Sequence, residues 1–170
     1  MATAMRNYSK VKATNVEVRR ILTPVDGSEV ANKALEHAID LARLKGAELL
    51  IIYAIGDVVA EPMSVGMLGT GYGRVSIAKS FYEEARTAAK GWIQQLVEKA
   101  RLSGVERTKG EVLYRPGKST VELITRYAKD NEIDLIVMGT TGRGTFKRLL
   151  LGSVASGVLN HAPCSVFVVR

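Results

Sequence analysis

A chain of 170 residues suits one domain built on one core and leaves no room for two. Its 46% hydrophobic content argues against disorder, and its longest unbroken apolar run, Leu49–Ile55, falls far short of the roughly twenty residues of a membrane-spanning helix. The net charge of +7 lies unevenly, with five bases (Arg6, Lys10, Lys12, Arg19, Arg20) against Glu17 in the first twenty residues and a nearly balanced body after them.

A basic tail of this kind favours loose contact with polyanions over sequence-specific recognition, so nucleic acid is not an expected partner, and neither is a membrane. The opening residues show no apolar stretch ahead of a small-residue cleavage site. Cys164 is the single cysteine and sits among apolar neighbours, which marks a packed thiol in a reducing compartment. Two histidines and one cysteine make no zinc-ligand cluster. A cytoplasmic protein is expected.

Residues 1–18 are polar and without periodicity, and read as a flexible basic extension to a domain spanning 19–170. The first strand is expected over Arg20–Val25, ending at Asp26-Gly27, with Ser28 as the N-cap of the next helix. In that helix Ala31, Ala34, Leu35, Ala38, Leu41 and Ala42 recur at three- and four-residue spacing, and His37 falls on the wet face. Gly46 stops it. The run Leu49–Ile55 reads as a strand covered on both faces. A glycine-rich loop, flexible lid or linker, is expected over 56–75, where Gly69, Gly71 and Gly73 leave a second phosphate loop as the alternative. Helical period resumes at Ser76, with Ile77, Phe81, Ala85, Ala88, Trp92, Leu96 and Ala100 as the inward stripe, and breaks near Gly104. A third strand is expected over Glu111–Arg115. Ser119 and Glu122 have capping-box spacing and open a third helix with Val121, Ile124, Tyr127 and Ala128 inward. Asp134–Met138 is a fourth strand, a short helix starts near Ser153, and Cys164–Val169 is a fifth strand. Strands alternating with amphipathic helices imply an α/β fold with a parallel sheet, whose ligands gather at the strands' carboxyl ends.

The segment Gly139-Thr-Thr-Gly142-Arg143-Gly144-Thr-Phe-Lys147-Arg148-Leu-Leu-Leu-Gly152-Ser153 carries the chemistry. It is not a Walker A loop, since Thr145 stands where the lysine belongs, nor a dinucleotide fingerprint, since Lys147 takes the third glycine's place. Glycines at a strand end allow positive φ and close backbone approach, and successive exposed amides form an anion nest. Ser153 at a helix start adds a hydroxyl and the positive end of a dipole. On the residues alone, a plain turn between strand and helix remains the competing account.

The spacing Gly139, two residues, Gly142, nine residues, Gly152-Ser153, ahead of a last helix and strand, resembles the nucleotide-binding branch of the universal stress protein family. The resemblance extends to Ile21-Leu-Thr-Pro24-Val25-Asp26-Gly-Ser28, to Asp134-Leu-Ile-Val-Met138-Gly139 and to Ala162-Pro-Cys-Ser-Val-Phe-Val-Val169. It implies a five-stranded parallel sheet of order 3-2-1-4-5 with helices on both faces, Rossmann-like and similar to the adenine nucleotide alpha hydrolases. It implies ATP as ligand, with Asp26 of Pro24-Val25-Asp26 at the adenosine and Ala54 lining the adenine pocket. It places Met138, Gly139, Thr140, Thr141, Gly142, Arg143 and Gly144 around ribose and phosphates, and Gly152, Ser153 and Val154 against the phosphates. Thr140-Thr141 departs from the serine and basic or histidine residue the family often carries there.

The expected function is a regulatory ATP-binding module of the stress response whose nucleotide state alters association with a protein partner. A slow ATPase and a nucleotide-independent dimeric scaffold are the alternatives. No histidine or carboxylate lies within the glycine segment to orient a water, so turnover is expected to be small or nil. Mg2+ or Mn2+ would be held through the phosphates. The order 3-2-1-4-5 leaves the last strand as an uncharged apolar edge, and a homodimer through it is expected.

Overall fold

Among residues 17–56, 71–140 and 151–170, which the computed structural model describes, short apolar runs alternate with amphipathic helices and give five strands and four helices. The strands are β1 (Arg20–Pro24), β2 (Glu48–Ile55), β3 (Thr108–Tyr114), β4 (Leu135–Gly139) and β5 (Ser165–Val169). The helices are α1 (Glu29–Lys45), α2 (Gly71–Leu102), α3 (Thr120–Asp130) and α4 (Ser153–His161). The sheet is parallel throughout in the order 3-2-1-4-5, with Leu22 opposite Leu50 on one side and Ile136 on the other.

Two cores follow from covering both faces. Ile21, Leu49, Ile51 and Val137 pack under α1 and α2 with Leu35, Ile93 and Val97. Leu22, Ile52, Ile136 and Met138 pack under α3 and α4 with Ile124 and Val158. Fully burying a side chain such as Ile93 or Ile124 contributes about 1.5–3 kcal/mol each. β2, covered on both sides, therefore reads as a continuous apolar run from Leu49 to Ile55.

α1 forms as its sequence dictates. The Ser28 hydroxyl accepts the Ala31 amide at 3.2 Å, Glu29 lies in the first turn, and Arg43 and Lys45 lie in the last. Gly46 closes it at φ 63°, a left-handed conformation that glycine adopts freely. His37 is exposed, as expected, and meets Phe167 edge-on with centroids 5.8 Å apart. At α3 the Ser119–Glu122 capping box is complete, and hydrogen bonds from Ser119 and Lys118 hold the Glu122 carboxyl down at about 2.

The structure moves three boundaries. Residues 71–75, expected in a loop, are the first turn of α2, while 57–70 of that loop lie outside the described residues, as does the extension through residue 16. Gly71 and Gly73 are poor helix formers, so their helicity comes from continuation of a long helix. From residue 86 onward the buried face of α2 is Ala89, Ile93, Val97 and Ala100; Ala88 is exposed, and Trp92 and Leu96 flank the core half-buried, while Ile77, Phe81 and Ala85 of the expected stripe lie outside the described side chains. Trp92 packs edge-on against Tyr53 at 5.7 Å. β3 starts three residues early, at Thr108, and contains Gly110, where an added Cβ would lie 2.5 Å from Ile93 Cγ2 and 2.6 Å from Val97 Cγ2. A glycine there lets α2 approach the sheet.

Cys164 is half-buried beside the second core. Burial, then the nearby Asp134 charge, pushes its thiol pKa up, which fits a packed residue. At the strands' amino ends, Asp134 Oδ2 accepts the amides of Arg19 and Arg20, each at 2.8 Å, and ties β4 to β1. No helix among the described residues is long and apolar enough to cross a membrane.

Candidate functional site

The chain moves outward from β1 through β2 to β3, then crosses back to place β4 on the other flank of β1. That reversal is the topological switch point, and it opens a crevice beyond the carboxyl ends of β1 and β4. Pro24, Val25 and Asp26 border it from β1, and Gly139 and Thr140 from β4.

The β1 side is built from backbone. Val25 N donates to Ile52 O at 2.8 Å, extending the ladder one step past β1. Gly27 turns the chain at φ 79°, and Asp26 Oδ1 accepts the Ser28 amide at 2.9 Å, fixing the carboxylate above the start of α1. Val25 and Met138 have their side chains in the two cores, so they can offer the crevice only backbone. Ala54 packs toward the α3–α4 side near the end of β2, opposite Leu113.

On the β4 side, Gly139 serves a purpose its spacing did not reveal. An added Cβ would stand 3.0 Å from Val30 Cγ1 and 3.1 Å from both Ala31 N and the Val30 carbonyl carbon. The glycine therefore lets the first turn of α1 pack onto the strand end; positive φ, expected of glycines in this segment, is not found at Gly139. Thr140 is buried, donates its amide to Val169 O at 2.8 Å and accepts from Gly152 N at 2.7 Å. The glycine segment is thus pinned at both ends, with Gly152, Ser153 and Val154 brought directly beside the end of β4. Thr141, Gly142, Arg143 and Gly144 lie outside the described residues, as do Lys147 and Arg148.

α4 starts at this junction. Its N-cap is Gly152, at φ −69° and ψ 160°, and it makes no side-chain cap hydrogen bond. α1 and α3 both have a serine in that position. The first amides of α4 thus keep their positive end uncovered by a side-chain cap, and Ser153 is exposed. No group of three or more metal-ligating side chains occurs among the described residues.

Two contacts near the site escaped sequence reasoning. Gly56, just past β2, lies so close to α3 that an added Cβ would be 2.5 Å from Thr120 Oγ1 and 2.6 Å from Thr120 N. The packing of Val30 on Gly139 is the other. Neither carries a local signal, since both join residues remote in sequence. A cavity of about 650 Å³ bordered by Tyr114, Arg115, Lys118, Tyr127 and His161 runs along α3 and includes none of the candidate residues.

Parallel order, switch point and covered faces define a Rossmann-like α/β domain. Residues 17–170 match the universal stress protein family, and the chain belongs to it. Universal stress protein Sll1388 of Synechocystis is 32% identical over 155 residues, covering 89% of this chain and 97% of the relative. The solved universal stress protein UspA of Lactobacillus plantarum superposes with a TM-score of 0.75 at 31% identity, covering 92% of this chain and 100% of that one. An Archaeoglobus fulgidus universal stress protein, solved in complex with dAMP, has a TM-score of 0.58 at 20% identity over 91% of this chain and 98% of its own, a likeness of fold.

Proposed function

We propose that this chain is an ATP-binding universal stress protein, a regulatory module with little or no turnover. The observation that carries the reading is the hydrogen bond from Gly152 N to Thr140 O at 2.7 Å, which sets the start of α4, without a side-chain cap, beside the carboxyl end of β4. Amides of Ser153 and Val154 would take phosphate oxygens, helped by the backbone of Gly139 through Gly144 and the charge of Arg143. Asp26, steadied by Ser28, would accept from the ribose, and Ala54 would lie against the adenine. The dAMP bound by the Archaeoglobus protein supports an adenine nucleotide in this fold. Mg2+ or Mn2+ would be held by the phosphates.

The open edge of β5 favours a homodimer. Among the described residues β5 pairs only with β4, and Phe167 on it is 42% exposed. Apolar edges of this kind template pairing with a second copy.

Mass spectrometry of whatever co-purifies, followed by calorimetric titration with ATP, ADP, AMP and cAMP, tests the reading. Micromolar ATP affinity is expected. Absence of any adenine nucleotide affinity overturns it in favour of the scaffold. Phosphate release faster than about 1 s⁻¹, against a typical enzyme median of ~10 s⁻¹, would move the protein to the ATPases.

A further inference from the structure

The end of the domain away from the crevice carries two large apolar side chains in water. Leu44, in the last turn of α1, is 80% exposed, and Leu102, the last residue of α2, is 81% exposed. Each stands two residues past a fully buried alanine, Ala42 and Ala100, so each points outward from its helix. The two helix ends are neighbours: Arg43 Cδ lies 3.5 Å from where a Cβ on Gly104 would be, Arg107 Nη2 donates to Gly46 O, and Lys99 bridges to Glu36.

Basic residues adjoin both leucines in sequence, Arg43 beside Leu44 and Arg101 beside Leu102. Arg43 is paired with Asp40 at 2.9 Å, whereas the guanidinium groups of Arg101 and Arg107 bond the carbonyls of Thr108 and Gly46, with the exposed acid Glu106 next to Arg107. Lys45 adds another cation, with no ion-pair partner among the described residues.

We propose that this end of the domain docks on an anionic lipid surface, with Leu44 and Leu102 entering the headgroup–acyl boundary and the surrounding bases meeting lipid phosphates. Two separate protruding side chains suit a fluid that closes around them; a folded protein partner would need a matching pocket for each. Bases flanking the leucines can keep their heads in the polar layer. The absence of a spanning helix leaves peripheral contact of this kind open. Docking by this end turns the crevice at the strands' carboxyl ends toward solvent, so a nucleotide can still reach it.

Flotation of the full chain with phosphatidylcholine vesicles, alone and mixed with phosphatidylglycerol, tests the proposal. Binding to the mixed vesicles only, weakening with salt, is expected. Leu44→Ser with Leu102→Ser should lower partitioning about tenfold or more, and Lys45→Gln roughly fivefold. Circular dichroism melts check that the variants fold. No recovery with anionic vesicles overturns the proposal. So does unchanged recovery of the double leucine variant, which would assign binding to the basic first sixteen residues alone. A vesicle-free oligomer lost in that variant would assign the face to a second copy and likewise overturn it.

Discussion

Gly139→Ala separates packing from ligand binding at one atom. The new Cβ would sit 3.0 Å from Val30 Cγ1 and 3.1 Å from the backbone of Val30 and Ala31. The Val30 methyl can rotate aside, but the helix backbone cannot, so the start of α1 must retreat by a few tenths of an ångström. Overpacking of this kind costs about 1–3 kcal/mol, which for a domain this size lowers Tm by roughly 2–12 °C. The internal control is Gly91→Ala in α2, an exposed helical position where an added Cβ meets nothing within 4 Å. There the same substitution removes chain entropy from the unfolded state and should raise stability by about 0.5–1 kcal/mol. Thermal unfolding followed by circular dichroism reads both. Opposite signs are expected, and a Gly139→Ala protein as stable as the parent would refute the account of Gly139 as a helix-packing glycine.

Asp26→Ala should weaken ATP and adenosine alike, by roughly 10–100-fold for one lost hydrogen bond to a charged group, as calorimetry would show. Gly142→Val should abolish ATP binding with little change in melting; retained affinity would place the phosphates elsewhere. Val168→Pro removes a backbone donor from β5 and should give a folded monomer by light scattering coupled to size exclusion, whereas a folded dimeric variant would exclude that edge. The Glu122 carboxyl, held at about 2 chiefly by the Ser119 amide, contributes its cap fully above the ordinary carboxylate range and loses it as pH falls toward 2. Amide protection in the first turn of α3, taken relative to the intrinsic exchange rate at each pH, should therefore fall across that interval, and Glu122→Gln should flatten the dependence.

The sequence is most explicit where local rules act alone. Ser28, Gly46 and the Ser119–Glu122 box marked their helix ends because a cap is a contact between near neighbours. β2 and β4 were readable as apolar runs because both sheet faces are covered there. α2 starts earlier than its glycines suggest, and among its described side chains a one-position rotation of the stripe is decided by the sheet beneath. Gly110 looked unlike a strand residue because its justification, Ile93 and Val97, lies on another element. At the site, spacing singled out Gly139, Gly152 and Ser153, but it could not show that Gly139 also makes room for Val30, since that close approach is a tertiary fact.

Thr140 occupies an unusual position between two events. Its amide holds the last residue of β5 and its carbonyl holds the residue that caps α4, so one peptide-linked residue spans the edge strand and the proposed phosphate segment. A sideways shift of β5, as when a second subunit docks on that edge, would tug on Val169, turn Thr140 and tilt Gly152 with it. Binding at either place would then carry a free-energy cost or gain at the other, equal in both directions. For the proposed regulatory module, such two-way transmission between nucleotide and subunit contact would itself be the output.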